Sequence, residues 1–115
     1  MKNHFATIIN LSGTIKIYYK NEFFAESNNV KELNEHYKGK DLIPVLYFPK
    51  NIFSEILIRK EENTSYCPIK GTASYWSYED ASNSIWSYEN PLESVSLIRG
   101  HYGFYENKGF KIIRN

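Results

Sequence analysis

The sequence predicts a compact, mainly β domain with two or three short helices, on three observations. β-Branched and aromatic residues gather in short runs, and Asn, Gly and Pro punctuate those runs. Aromatic residues reach 17%, with ten Tyr, seven Phe and two Trp, and such rings suit a pleated, half-buried surface. The 115 residues suit a single domain over 1–115 with a thin core.

Taken in order, residues 14–19 (Thr-Ile-Lys-Ile-Tyr-Tyr) read as a strand. The turn-prone Lys20-Asn21 leads into a second strand over 22–25, giving a hairpin. Ser27-Asn28-Asn29 is a capping sequence, and Val30, Leu33 and Tyr37 fall at helical spacing, so a short helix is expected over 30–36. Residues 37–41, polar and containing Gly39, read as a loop. The apolar run 42–48 reads as a strand that Pro49 helps to end. Asn51 would cap a second short helix over 52–58, and the charged stretch 59–65 reads as a surface loop.

Strands are expected next over 72–78 and 84–88. Pro91 suits the first turn of a helix, so 91–98 reads as a third short helix before Gly100. Residues 101–105 make a further strand, and Asn107-Lys108-Gly109 reads as a hairpin turn into a strand over 110–113. One local echo bears on register: Trp76-Ser77-Tyr78-Glu79 recurs as Trp86-Ser87-Tyr88-Glu89. With 79–83 as the loop, Trp76 would face Trp86 and both indoles would share one sheet face. A slip of one residue would send one of them to the other face.

Charge and motifs narrow the function classes. Net charge is +1, and the short basic groups at Arg59-Lys60 and 38–40 read as solvated surface, so no nucleic-acid partner is expected. Cys67 is the single cysteine, which rules out an internal disulfide and a cysteine-based metal cage; no metal site and no cofactor are expected. The first ten residues lack the apolar region of a signal peptide, and the run 42–48 is interrupted by Pro44 and too short to span a bilayer. A cytoplasmic location without membrane association is the expectation. The six glycines form no phosphate-binding loop, and Glu79-Asp80, the nearest thing to a paired carboxylate site, reads as a hairpin tip.

The C-terminal half carries a recognisable pattern: Cys67-Pro68-Ile69-Lys70-Gly71, Ala73-Ser74-Tyr75-Trp76-Ser77, Trp86-Ser87-Tyr88 with Pro91, and Gly100-His101-Tyr102-Gly103-Phe104-Tyr105. Upstream, Tyr47-Phe48-Pro49 with Ile52 adds to it. This resembles the bacterial domain-of-unknown-function family 427, some members of which carry a nucleotidyltransferase-like label, over about residues 15–113. Ile69 stands where that family has Tyr, Asn51 where it has an acidic residue, and Gly103 where Ala is common. The resemblance implies a β-tent-like fold with the topology of methionine sulfoxide reductase B, here without zinc.

Cys67 and Lys70 are the sharpest candidate pair for catalysis. An ammonium beside a thiol favours the reactive thiolate, and Pro68 and Gly71 suit a tight turn that holds both side chains together. A small buried thiol with Lys70 in solvent is the competing reading. Tyr75, Trp76, Trp86, Tyr88, His101, Tyr102 and Tyr105 are the candidate ligand-binding residues, although strand alternation must send some of these rings to the core. His101 would act as a base only within reach of Cys67. The function expected is a pocket for a polar or anionic small molecule held by Lys70 and aromatic side chains. A thiol-dependent enzyme using Cys67 and a protein-interaction module are the alternatives. Self-association through a sheet edge is compatible with each.

Overall fold

Among residues 3–114, which a computed structural model of the chain describes, eleven strands form two antiparallel sheets. In chain order they are β1 (His4–Asn10), β2 (Ile15–Tyr19), β3 (Glu22–Ser27), β4 (Lys31–Tyr37), β5 (Lys40–Asp41) and β6 (Val45–Pro49). After these come β7 (Arg59–Cys67), β8 (Gly71–Tyr78), β9 (Ala81–Ser87), β10 (His101–Phe104) and β11 (Phe110–Arg114). The larger sheet runs β1-β4-β6-β10-β9-β8-β7, with β5 paired to β4, and the smaller runs β11-β2-β3. The mainly β expectation holds. The helical turns of the described residues are all 3₁₀, at Lys50–Phe53, Glu93–Ile98 and Glu106–Lys108.

Lys20 and Asn21 both take positive φ, 50° and 71°. Two such residues in succession suit the right-handed twist of paired strands, and they close the predicted β2–β3 hairpin. A bulge at Phe24 lets Phe24 and Ala25 both turn inward. The inner face of this small sheet (Ile15, Ile17, Tyr19, Phe24, Phe110) packs against Phe48, Trp76, Ile85, Tyr102 and Phe104 of the larger one. Phe24 meets four rings there, those of Phe53, Tyr78, Phe104 and Phe110, edge-on at 4.9–6.3 Å. The opposite face of the large sheet carries a second core of Leu33, Tyr47, Ala73, Tyr88, Val95 and Ile98.

Several expectations are corrected. The segment read as a helix over 30–36 is strand β4, paired along its whole length with β1, a strand without a signal in the sequence. Of residues 52–58 only 52–53 are helical, as the end of a 3₁₀ turn, and of 91–98 the stretch Glu93–Ile98 is 3₁₀ with a kink at Val95. The charged loop read over 59–65 belongs to β7, an edge strand exposed on both faces, so no apolar alternation marks it. Gly109, at φ 102°, ends a 3₁₀ turn that carries the chain from the large sheet to the small one. β11 therefore pairs with β2, not in a hairpin with β10.

The two indoles lie on opposite faces. The β8–β9 connection is a two-residue turn that brings Tyr78 opposite Ala81, and a bulge with Asn83 at φ 51° then shifts the ladder. Trp76 pairs with Ile85 and Trp86 with Tyr75, one residue out of the expected register.

Candidate functional site

The Cys-Pro-x-Lys-Gly segment forms the turn of the β7–β8 hairpin. Cys67 pairs with Gly71, and the Lys70 amide donates to the Cys67 carbonyl at 3.2 Å. Gly71 takes φ 107°. The turn is held down from outside: the Leu92 amide donates to the Lys70 carbonyl at 2.9 Å, so the 89–92 segment folds across it. That contact brings Tyr88 beside Lys70, whose ammonium sits 5.9 Å from the phenol ring centroid.

Lys70 is an interior cation. Its side chain is 12% exposed and pairs at 3.3 Å with Glu35, which is 18% exposed. Glu35 stands on β4, four places from β8 in the sheet order. Four strand spacings in a flat sheet come to about 19 Å, well beyond the combined reach of the two side chains. The large sheet therefore curls until its distant strands meet over this second face. The other oxygen of Glu35 bonds His4 Nε2 at 2.7 Å. Burial pushes the Glu35 carboxyl up, but the His4 bond and the Lys70 charge outweigh it and hold it below its ordinary value.

Tyr88 stands beside the Lys70 ammonium and Tyr47 feels the Glu35 charge; Tyr75, Tyr105 and the Trp86 indole extend the cluster from these two phenols. Trp86 Nε1–H donates to the Tyr47 hydroxyl at 3.3 Å, and its ring lies 4.5 Å from that of Tyr105. Gly103 faces Trp86 across the ladder, and its missing Cβ leaves room for the indole. Tyr75 and Ser65 share a hydrogen bond of 2.6 Å. Desolvation raises Tyr47 and Tyr88, the latter also under the charges of Tyr47 and Cys67. Burial and neighbouring Tyr75 push Tyr105 up to about 12. All three are neutral hydrogen-bond donors at physiological pH. Cys67 is half-buried at the edge of this group and packs against the second core.

The sequence reading thus united residues that the fold divides. Cys67, Lys70, Tyr75, Trp86, Tyr88 and Tyr105 share the second face. Trp76 and Tyr102 lie on the intersheet face, their rings 5.0 Å apart. His101 stands apart from the cluster, its Nδ1–H donating to the Arg99 carbonyl at 2.9 Å; burial first, and Lys31 after it, lower its pKa. Trp86 and Tyr105 also line a cavity of about 470 Å³, but it opens toward Val45 and Arg114 and does not reach Lys70. Lys70 instead pairs with Glu35.

Three members of the site were missed. Tyr47 lay in a predicted strand whose facing could not be read, and Glu35 sat in a segment expected to be a helix. His4 lay on the unsignalled β1. Glu79-Asp80 is a hairpin tip as read, with Asp80 bonded to Tyr19 and Lys20 at 2.8 and 3.1 Å. Among the described residues, no group of three or more His, Cys, Asp or Glu side chains is placed to hold a metal. Among the described residues, no helix is long and apolar enough to cross a membrane.

No curated protein matches the chain. Residues 7–114 match the family described as a domain of unknown function, DUF427, and that match takes in both sheets and every residue of the Lys70 cluster except His4. The chain belongs to the domain-of-unknown-function family DUF427.

Proposed function

We propose that this domain binds a small polar or anionic metabolite on the second face of its large sheet, held by Lys70 and the surrounding aromatic side chains. The observation that carries the reading is a largely covered ammonium: Lys70, 12% exposed, lies 5.9 Å from the ring of Tyr88, a neutral phenol that is itself 8% exposed. A carboxylate, phosphate or carbonyl oxygen entering beside Lys70 would accept from one of the three ammonium N–H groups and from the Tyr88 hydroxyl. Glu35, still held by His4, would remain as the counter-charge.

A thermal-shift screen against metabolites tests this, since a ligand selective for the folded state raises Tm. A hit should lose its effect in Lys70→Ala, weaken about tenfold in Tyr88→Phe, and persist in Cys67→Ser. A hit that Lys70→Ala binds undiminished would remove the proposal.

The half-buried thiol beside the phenols of Tyr47 and Tyr88 favours one second reading, a thiol-dependent enzyme using Cys67. Neutral phenols donating to sulfur would stabilise a thiolate, and an external thiol would have to act as the resolving partner. Rapid alkylation of folded protein at neutral pH would support it. A thiol that stays unmodified until unfolding would end it.

A further inference from the structure

On the intersheet face, away from Lys70, Trp76 and Tyr102 floor a separate cavity of about 570 Å³. Phe53 and Ile58 add apolar wall, and Lys50, Lys60 and Glu89 stand at the rim. Trp76 and Tyr102 are each 6% exposed, edge to face. Lys60 is already engaged: its ammonium pairs with Glu89 at 2.8 Å and lies 5.5 Å from the Trp76 ring centroid. Glu89 is fixed further by the Ser74 hydroxyl at 3.0 Å. Lys50 makes no direct ion pair among the described residues, although its charge also bears on Glu89, and the Tyr102 hydroxyl makes no hydrogen bond there.

The rim therefore carries two cations and one carboxylate, a net single positive charge above an aromatic floor, and Lys50 is the cation in no direct ion pair. We propose that this cavity is a second ligand site, taking a small planar aromatic monocarboxylate. Its ring would lie against Trp76 and Phe53, and its carboxylate would meet Lys50 and accept from Tyr102. A dianion would meet Glu89, and a neutral ring would leave Lys50 and Tyr102 unanswered. The single negative charge is the complement the rim selects.

The test is an NMR titration of the ¹⁵N-labelled chain with benzoate and, in parallel, with benzamide. Benzoate should give saturable shifts at the Trp76 indole N–H and the Tyr102 amide, with benzamide at least about tenfold weaker. Lys50→Ala should weaken benzoate about tenfold while leaving benzamide unchanged, and Lys50→Arg should restore most of the loss. Lys70→Ala should leave the benzoate titration intact, which separates this site from the one proposed above. Equal affinity for the two probes, shifts centred on Trp86 and Tyr105, or no saturation by about 10 mM would each overturn the proposal.

Discussion

At position 103 the chain has no side chain because an indole occupies the space. A Cβ built on Gly103 would fall among the ring carbons of Trp86, and its backbone angles are ordinary, so the constraint is steric rather than torsional. Gly103→Ala should therefore displace Trp86 from Tyr47 and Tyr105 and cost about 1–3 kcal/mol in urea unfolding, with a change in tryptophan emission. An unchanged midpoint and spectrum would mean that the indole slides aside freely. Glu35 gives a second prediction, read through pH. Its folded carboxyl lies below the ordinary 4.5, because the His4 bond and Lys70 charge outweigh the burial that would raise it. Its stabilisation is complete above that value and disappears as pH falls through the folded one. Glu35→Gln should lower stability at neutral pH by about 1–3 kcal/mol, since it strands a mostly buried ammonium, and should flatten the acid limb below about pH 4.5. A parallel acid limb in the variant would assign that limb to other carboxylates.

The same dependence on neighbours explains what could and could not be read at the scale of the element. The β2–β3 hairpin was legible because Lys20-Asn21 and the flanking β-branched residues specify it locally. β8, β9 and β10 were legible from their aromatic runs. β4 was not: Leu33 is its one fully buried residue, and its polar side chains become strand residues only when β1 and β6 pair on either side. The site followed the same rule, since Cys67 and Lys70 share a local turn whereas Glu35 reaches them only through the curl of the sheet. The register of β8 on β9 failed for a smaller reason, a bulge pinned by one hydroxyl. Ser77, 0% exposed, donates to Glu61 of β7 and accepts from the Asn83 amide at 2.9 Å. Ser77→Ala removes both partners at once, so a loss of about 1–3 kcal/mol is expected. Hydrogen exchange should quicken first in β7 and at residues 81–84. Uniform quickening across the large sheet would deny the bulge its local anchor.

Across the whole molecule, the large sheet buries both of its faces, but by different means. The intersheet face is covered by three paired strands, whereas the second face is covered by the curl of the sheet and by the 3₁₀ segment Glu93–Ile98, which is kinked at Val95. Stability should be distributed unevenly for that reason, with the Lys70 side opening more readily than the core between the sheets. Ile17 and Ile98 are both 0% exposed, one in each core, and truncating either to Ala removes the same atoms at a cost of about 2–5 kcal/mol. Ile17→Ala should shift the global unfolding midpoint and speed exchange in both sheets. Ile98→Ala should speed exchange chiefly around Tyr88 and over residues 91–98, leave β2, β3 and β11 protected, and loosen Tyr88 from Lys70. Indistinguishable exchange patterns for the two variants would mean that the cores unfold as one unit. The segment over Tyr88 could not then serve as a door to the Lys70 site without opening the entire fold.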